Sequence, residues 1–313
     1  MPEVTPSSSS PSPLRFGTAP VNWNNFDLEG WRPVVPFPAI LDAMVTAGYE
    51  RTEWDASFGA DPAELLAASR PRGLEFVAAY RWVDFVNDDQ FSLDLVELRR
   101  FMPTLQAIGV TDLIVADALR PDRVAHAGAI PADGSLSLSA SAYRTLANNL
   151  VRLADVASGF DLHLRYHNHV GSHIETPQEV DDLLAVLDPA RVNLCFDTGH
   201  FAFGGGDPYR FIAEHLDAIG LLHLKDVDGQ VLDEARRRHW SFQDALRHII
   251  FCPLGEGTAR IADVVDVLVD NEFEGHVIIE QDTCAGDSTE TAKRNLERAR
   301  SFEHAARQRR STS

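Results

Sequence analysis

Apolar residues recur at two spacings along this chain, and the two spacings take turns. Val192, Leu194 and Phe196 alternate with Asn193 and Cys195, as in a short buried strand, whereas Ile40, Leu41, Met44 and Val45 fall on one face of a helix stopped by Gly48. Taken in order, the period-two runs predict strands over 15–20, 49–54, 74–80, 111–116, 162–167, 191–197, 219–226 and 276–281. The helical runs between them cover 38–47, 61–69, 93–108, 139–158, 176–187, 207–215 and 261–271, with a closing helix over 287–307 whose inward face carries Leu296, Ala299 and Phe302. Residues 231–248 form a longer helical or mixed insertion. Residues 118–134 are a loop rich in Pro, Gly and Ala, of a length that marks a lid or binding loop in a compact domain.

Eight strands alternating with helices, each crossover long enough to be right-handed, is what a (β/α)8 TIM barrel requires. A doubly wound open sheet is the alternative, but no GxGxxG or GxxxxGK[ST] run follows any strand, and Gly204, Gly205 and Gly206 come too late and too bare to be one. Residues 1–13 are mostly Ser and Pro and are expected to be a disordered tail, leaving 14–308 as a single barrel domain.

Charge narrows the partners. With 28 Lys and Arg against 47 Asp and Glu the net charge is −19, which opposes phosphate backbones and anionic lipid and argues against nucleic acid or membrane as partner. No apolar run approaches the roughly 20 residues of a membrane helix, so a cytoplasmic location is expected. Cys195, Cys252 and Cys284 are odd in number and form no CxxC, which points to neither a disulfide framework nor a thiolate zinc site.

The chemistry gathers where strands end. The run Arg191 to His200 closes in Asp197-Thr198-Gly199-His200, the run from Ile219 closes in His223-Leu224-Lys225-Asp226, and the run from His276 closes in Glu280. Upstream, Tyr166-His167-Asn168-His169 ends in a histidine pair, and seven of the 12 histidines fall between residues 163 and 223. Strand exits are where barrels place catalytic groups, and His, Asp and Glu from separate exits form an N/O ligand set suited to Mn²⁺, Co²⁺, Zn²⁺ or Fe²⁺. Each group also has a plain structural reading: Asp197-Thr198 as a helix cap, Lys225-Asp226 as a surface ion pair, a single histidine as a hydrogen-bonded core residue. Glu256 reads first as a turn residue and second as a substrate-facing carboxylate, and Trp23 as a pocket wall or a surface packing residue.

FDTGH, LLHLKD, PLGEG and the closing VIIEQD together resemble the xylose-isomerase-like barrels of the sugar phosphate isomerase/epimerase superfamily. FGTAPVNWNN, ILDAMVTAGYERTEW, GLEFVAAY and YHNHVGSHIET are similar in particular to its inosose dehydratase family. The resemblance implies a barrel with one divalent metal at the C-terminal mouth, with Asp197, His223 and Glu280 on ligand positions and His200 against substrate. Where many relatives carry Glu at the end of strand five this chain has His167, which is taken as the fourth ligand, with His169 and Glu175 as alternatives.

Such a set suits proton abstraction beside a carbonyl, with an enediolate stabilised by the metal. Metal binding is assigned to His167, Asp197, His223 and Glu280, base work to Glu280 or Glu175, and acid work to His200 or Lys225. Trp23, Glu53, His169, His200 and Glu256 are the candidate substrate contacts. The expected function is a lyase dehydrating a keto-cyclitol, with an isomerase or epimerase of keto-sugars second and a 3-keto-glycoside-cleaving lyase third. The expected cofactor is Mn²⁺, with Co²⁺, Mg²⁺ or Zn²⁺ as alternatives. The partner is a small keto-polyol or keto-sugar, and a homo-oligomer stays open. Four ligands plus acid and base groups exceed what a binding module without turnover needs, and there are too few spare ligands for a three-metal endonuclease.

Overall fold

In a computed structural model that describes residues 13–312, eight parallel strands close into a barrel. In chain order the strands are β1 (Arg15–Thr18), β2 (Arg51–Trp54), β3 (Glu75–Val83), β4 (Asp112–Asp117), β5 (His163–His167), β6 (Val192–Asp197), β7 (Ile219–Leu224), the two-residue β8 (Asp226–Val227) and β9 (Phe251–Cys252), and β10 (His276–Ile279). Closure is made by β10, which pairs with β7 on one side and with β1 on the other, from Arg15↔His276 to Thr18↔Ile279. The expected (β/α)8 barrel is therefore the fold. The expectation of a tail over 1–13 falls, Pro13 apart, outside the described residues.

Alternation along the strands sorts side chains onto two surfaces. Leu194, Phe196, Leu222, Leu224, Val277 and Ile279 face outward and join the large core beneath the helices. Their neighbours face the barrel interior, where three levels can be followed. At the closed end Arg165 Nε donates to Asp112 Oδ1 at 2.6 Å and its Nη1 to Asn193 at 2.9 Å. Ile114, Cys195, Leu221 and Ile278 form an apolar middle. Two residues beyond Cys195, Leu221 and Ile278 stand Asp197, His223 and Glu280, and two beyond Arg165 stands His167, at the open mouth.

Several boundaries differ from the sequence expectation for identifiable reasons. The third helix runs Asp88–Ile108, starting earlier because the Asn87 side chain accepts from the Asp89 and Gln90 amides and so caps it. The last strand ends at Ile279 rather than 281, although the Glu280 amide still donates to Leu224 O at 3.2 Å. The loop over 118–134 contains a helical turn, Pro121–Val124, and is pinned rather than free. Fully buried Arg123 makes a two-pronged pair with Glu179 at 2.7 and 2.9 Å and donates to Leu136 O and Ser172 O.

The insertion after β7 is a closed unit. β8 pairs with β9 antiparallel, and between them lie the helices Gly229–Arg238 and Phe242–Arg247. At its root the Asp226 carboxylate accepts four amides, from Val227, Gly255, Gly257 and Ala259, at 2.7–3.0 Å. A side chain on Gly257 would run into Val227 O and that carboxylate, so glycine is required for the turn to close.

Candidate active site

The mouth of the barrel holds a cavity of about 290 Å³ lined by His167, His169, His200, His223, Glu53 and Glu280, with Lys225 and Asp282 beside them. Asp197 sits just under this lining, wholly buried at the end of β6. Its two oxygens divide the work: Oδ1 accepts the His200 amide at 2.7 Å and caps the helix Thr198–Phe203, while Oδ2 points at His167 Nε2 (3.4 Å), Lys225 Nζ (3.3 Å) and His223 Nδ1 (3.8 Å). The cap and the candidate ligand are thus one residue. Gly199 follows because a Cβ there would lie 2.6 Å from the Lys225 side chain.

His223 is held between two carboxylates, Nε2 at 2.8 Å from Glu53 Oε1 and Nδ1 at 3.1 Å from Glu280 Oε2. β2 and β7 are not neighbours in the sheet, so the Glu53 contact spans the mouth. A register shift between Thr52 and Glu53 accompanies it. Lys225 Nζ lies 3.0 Å from Glu280 Oε2, 2.8 Å from Asp282 Oδ1 and 3.3 Å from His200 Nε2. His169 stacks on His200 with ring centres 3.7 Å apart, and Tyr80 and Trp82 set their edges against His167 and His169.

Burial and charge fix the protonation states. Burial pushes His167 down to about 4, and His169 and His200 well below the ordinary histidine value, so these three imidazoles are neutral. Burial also works against the Lys225 ammonium, but Asp197, Asp282 and Glu280 reverse it and hold the group charged. Against the upward push of burial, Lys225 and His167 keep Asp197 below the usual carboxylate range, and His223 and Lys225 do the same for Glu280. Glu53 is raised, burial outweighing His223. Asp282 rises to about 7 through burial, Lys225 opposing.

The donors fit a first-row divalent cation. Asp197 Oδ2 and His223 Nδ1 are buried and make no well-directed hydrogen bond; Asp197 Oδ2 lies 3.4 Å from His167 Nε2 and 3.8 Å from His223 Nδ1, which is 3.1 Å from Glu280 Oε2. Ligands about 2.1 Å from one ion stand about 3.0–3.4 Å apart, so these atoms need little movement to share one. Glu53, His223 and Glu280 also each bring an atom within 4.8 Å of the others, which adds Glu53, expected as a substrate contact, to the groups in ligand reach.

Four sequence-based placements are corrected. Trp23 is buried with its indole donating to Thr289 at 3.1 Å and does not line the cavity. Glu256 is exposed in its turn and pairs with Arg298 at 3.2 Å, away from the mouth. Glu175 is buried behind the mouth, its two oxygens accepting the Gly128 and Gly171 amides at 2.7 Å each, so it joins two loops instead of facing the cavity. Lys225 and Asp226 are both buried and pair with other groups, so they are not a surface ion pair. Sequence reasoning missed Asp282, although it continues the alternation from Glu280. It also missed Tyr80 and Trp82, which share one face of β3 at a spacing of two, at and just past the expected end of that strand at residue 80, and the half-buried Asp27 from the loop after β1.

Comparison with known proteins agrees with this geometry. Residues 35–302 match the family model described as xylose isomerase-like TIM barrel. An inosose dehydratase of Geobacillus kaustophilus (strain HTA426) is 30% identical over 274 residues, 86% of this chain and 87% of that protein. Among solved structures, one titled L-ribulose 3-epimerase superposes with a TM-score of 0.70 at 14% identity, covering 96% of this chain and 97% of that one. Another, titled as the IOLI protein with a binding zinc atom, gives 0.65 at 13% identity, covering 93% and 98%. Barrel, mouth and sequence match together place the chain in the xylose isomerase-like TIM barrel family, with an inosose dehydratase among its relatives.

Proposed function

We propose that this protein is a divalent-metal-dependent lyase that removes water from a keto-cyclitol through an enediolate. The observation that carries the reading is the convergence of His167, Asp197, His223 and Glu280 beside a charged Lys225 at the mouth of the barrel. The name of the Geobacillus relative supports the substrate class. The cavity, at about 290 Å³, is at the small end of ligand pockets and suits a single ring. The carboxylates favour Mn²⁺, with Co²⁺, Mg²⁺ and Zn²⁺ as alternatives.

His167, Asp197, His223 and Glu280 would hold a divalent ion, which would supply Lewis-acid polarisation of a carbonyl and its neighbouring hydroxyl. The chain's own residues do the proton work. Glu280 takes the α-proton, and Lys225, 3.0 Å from Glu280 Oε2, balances the charge and delivers a proton to the departing hydroxyl. Neutral His200 and His169, stacked together, orient the ring's hydroxyls, and the Tyr80 and Trp82 edges close the wall behind them. Isomerisation or epimerisation of a keto-sugar would share the first half of this course and differ only in reprotonation at carbon.

The test is incubation of Mn²⁺-loaded protein in D₂O with keto-inositols, keto-hexoses and 3-keto-glycosides, followed by NMR and mass spectrometry. Loss of water from a keto-inositol is expected. Deuterium incorporated into a product of unchanged formula would replace the lyase with an isomerase or epimerase, and a chelator-insensitive reaction would overturn the metal.

A further inference from the structure

Below the carboxylates, the barrel interior offers a second donor set. Cys195 precedes Asp197 by two residues on β6, so both point inward, one level apart. Cys195 is in register with His167 across β5 and β6, while Asp197 is in register with His223 across β6 and β7. His167, Cys195 and His223 each bring a ligand atom within 4.8 Å of the others, and all three are buried. Nδ1 of both histidines is buried and makes no well-directed hydrogen bond. Cys195 otherwise belongs to an apolar cluster with Ala19, Ile114, Leu221 and Ile278.

We propose that His167, Cys195 and His223 form a nitrogen-and-sulfur site for a thiophilic divalent cation, Zn²⁺ or Cd²⁺, which excludes the oxygen-ligated ion because both sets need His223. Thiolate selects soft cations, whereas carboxylates suit Mn²⁺ and Mg²⁺, so the two sets discriminate by ligand chemistry. Asp197 Oδ2, 3.4 Å from His167 Nε2 and 3.8 Å from His223 Nδ1, lies within reach of both histidines. Tetrahedral donors around zinc lie about 3.3–3.8 Å apart, so donors within 4.8 Å converge with side-chain adjustments of about 1 Å. On binding, the S–H bond breaks and a sulfur–metal bond forms. The proton leaves to solvent and no electron is transferred. That the soft ion stops turnover rests on the lyase reading; that it binds does not.

The experiment titrates the chelator-stripped full chain with Cd²⁺ and follows the ultraviolet thiolate-to-cadmium charge-transfer band, with Mn²⁺ release read by electron paramagnetic resonance. The parent is expected to gain the band at one Cd²⁺ per chain and to release bound Mn²⁺ in step. Cys195→Ser is expected to lack the band and to bind Zn²⁺ more weakly by about 10-fold or more, while Cys252→Ser and Cys284→Ser keep it. Cadmium NMR on the parent distinguishes sulfur from purely nitrogen and oxygen ligation without any substitution, which covers a Cys195 variant that fails to fold. A band that persists in Cys195→Ser, a cadmium shift without sulfur character, or Mn²⁺ and Cd²⁺ bound together would overturn the proposal. A band without turnover on the keto-inositol panel would leave this site standing and remove the lyase, and turnover without the band would do the reverse.

Discussion

Replacing Lys225 by Met isolates the charge balance of the mouth. The ammonium is 2% exposed and lies 2.8, 3.0 and 3.3 Å from Asp282, Glu280 and Asp197. At an effective dielectric of about 20 each contact is worth about 5–6 kcal/mol of gross attraction, offset by several kcal/mol for taking the ammonium and its partners out of water. Methionine fills a similar volume, so packing changes little, and the loss is electrostatic: Asp197 and Glu280 keep their desolvation cost and lose their counter-charge, while Asp282, already raised to about 7, takes up a proton. Removing one partner of a buried pair costs about 3–5 kcal/mol, and that is the destabilisation expected at pH 7 in the presence of a chelator. A divalent cation supplies charge to two of the same carboxylates, so the variant should bind Mn²⁺ more tightly than the parent and the stability gap should narrow when both are saturated. Urea unfolding of parent and variant, with chelator and with Mn²⁺, reads both quantities. A chelated variant within about 1 kcal/mol of the parent, or a gap unchanged by Mn²⁺, would refute the reasoning, since it would mean that these carboxylates are not held ionised against Lys225.

Three further outcomes are expected. Asp197→Ala should lose the stoichiometric divalent ion, and metal analysis showing unaltered stoichiometry would remove Asp197 from the ligands. Glu280→Gln should lower metal affinity modestly but slow exchange of the substrate α-proton in D₂O by about 10²–10⁴; exchange near the parent rate at saturating Mn²⁺ would move the base to Glu53, whose carboxyl faces the same cavity. Burial raises Glu175 from 4.5 to about 7, against the pull of the Gly171 and Gly128 amides, so its stabilising contribution is complete below pH 4.5 and is lost as pH rises to about 7. Glu175→Gln lacks that loss, so the stability of the parent relative to the variant should fall by about 3 kcal/mol from acid to neutral pH, and a pH-independent difference would contradict it.

The barrel was legible because alternation in Val192–Asp197 and in His276–Ile279 separates an outward apolar face from an inward one, and the inward face ends in polar groups. The same alternation carries His167, Asp197, His223 and Glu280 to strand ends at one mouth. Contacts between strands distant in both sequence and sheet were not legible, and the Glu53–His223 pair is one of these. Trp23 and Glu256 carried no periodic signal, so type and loop position alone suggested them, and local packing against Thr289 and Arg298 claimed both. The start of the helix at Asp88 was hidden by a polar first turn whose only mark is the Asn87 cap, and β8 and β9, at two residues each, are too short to show a period.

The four-amide grip of Asp226 makes the insertion over 228–250 an exchangeable part. Its two ends are tied to each other by β8 and β9 and by one carboxylate, so the roots hold their geometry locally, and what lies between adds contacts through Arg236, which donates to Gly128 O and Phe203 O, and Leu246 O, which accepts from Thr283. Yet the insertion and its closing strand supply Phe242, against His169, and Phe251, 4.8 Å from Lys225 Nζ. A graft carrying another loop between the same roots removes Phe242 and should therefore loosen His169, which lines the cavity, while Mn²⁺ affinity stays put, and a matching loss of metal binding would show that the grip does not insulate the ligands. Such a hinge-free socket lets selection vary what the mouth accepts without touching how it reacts.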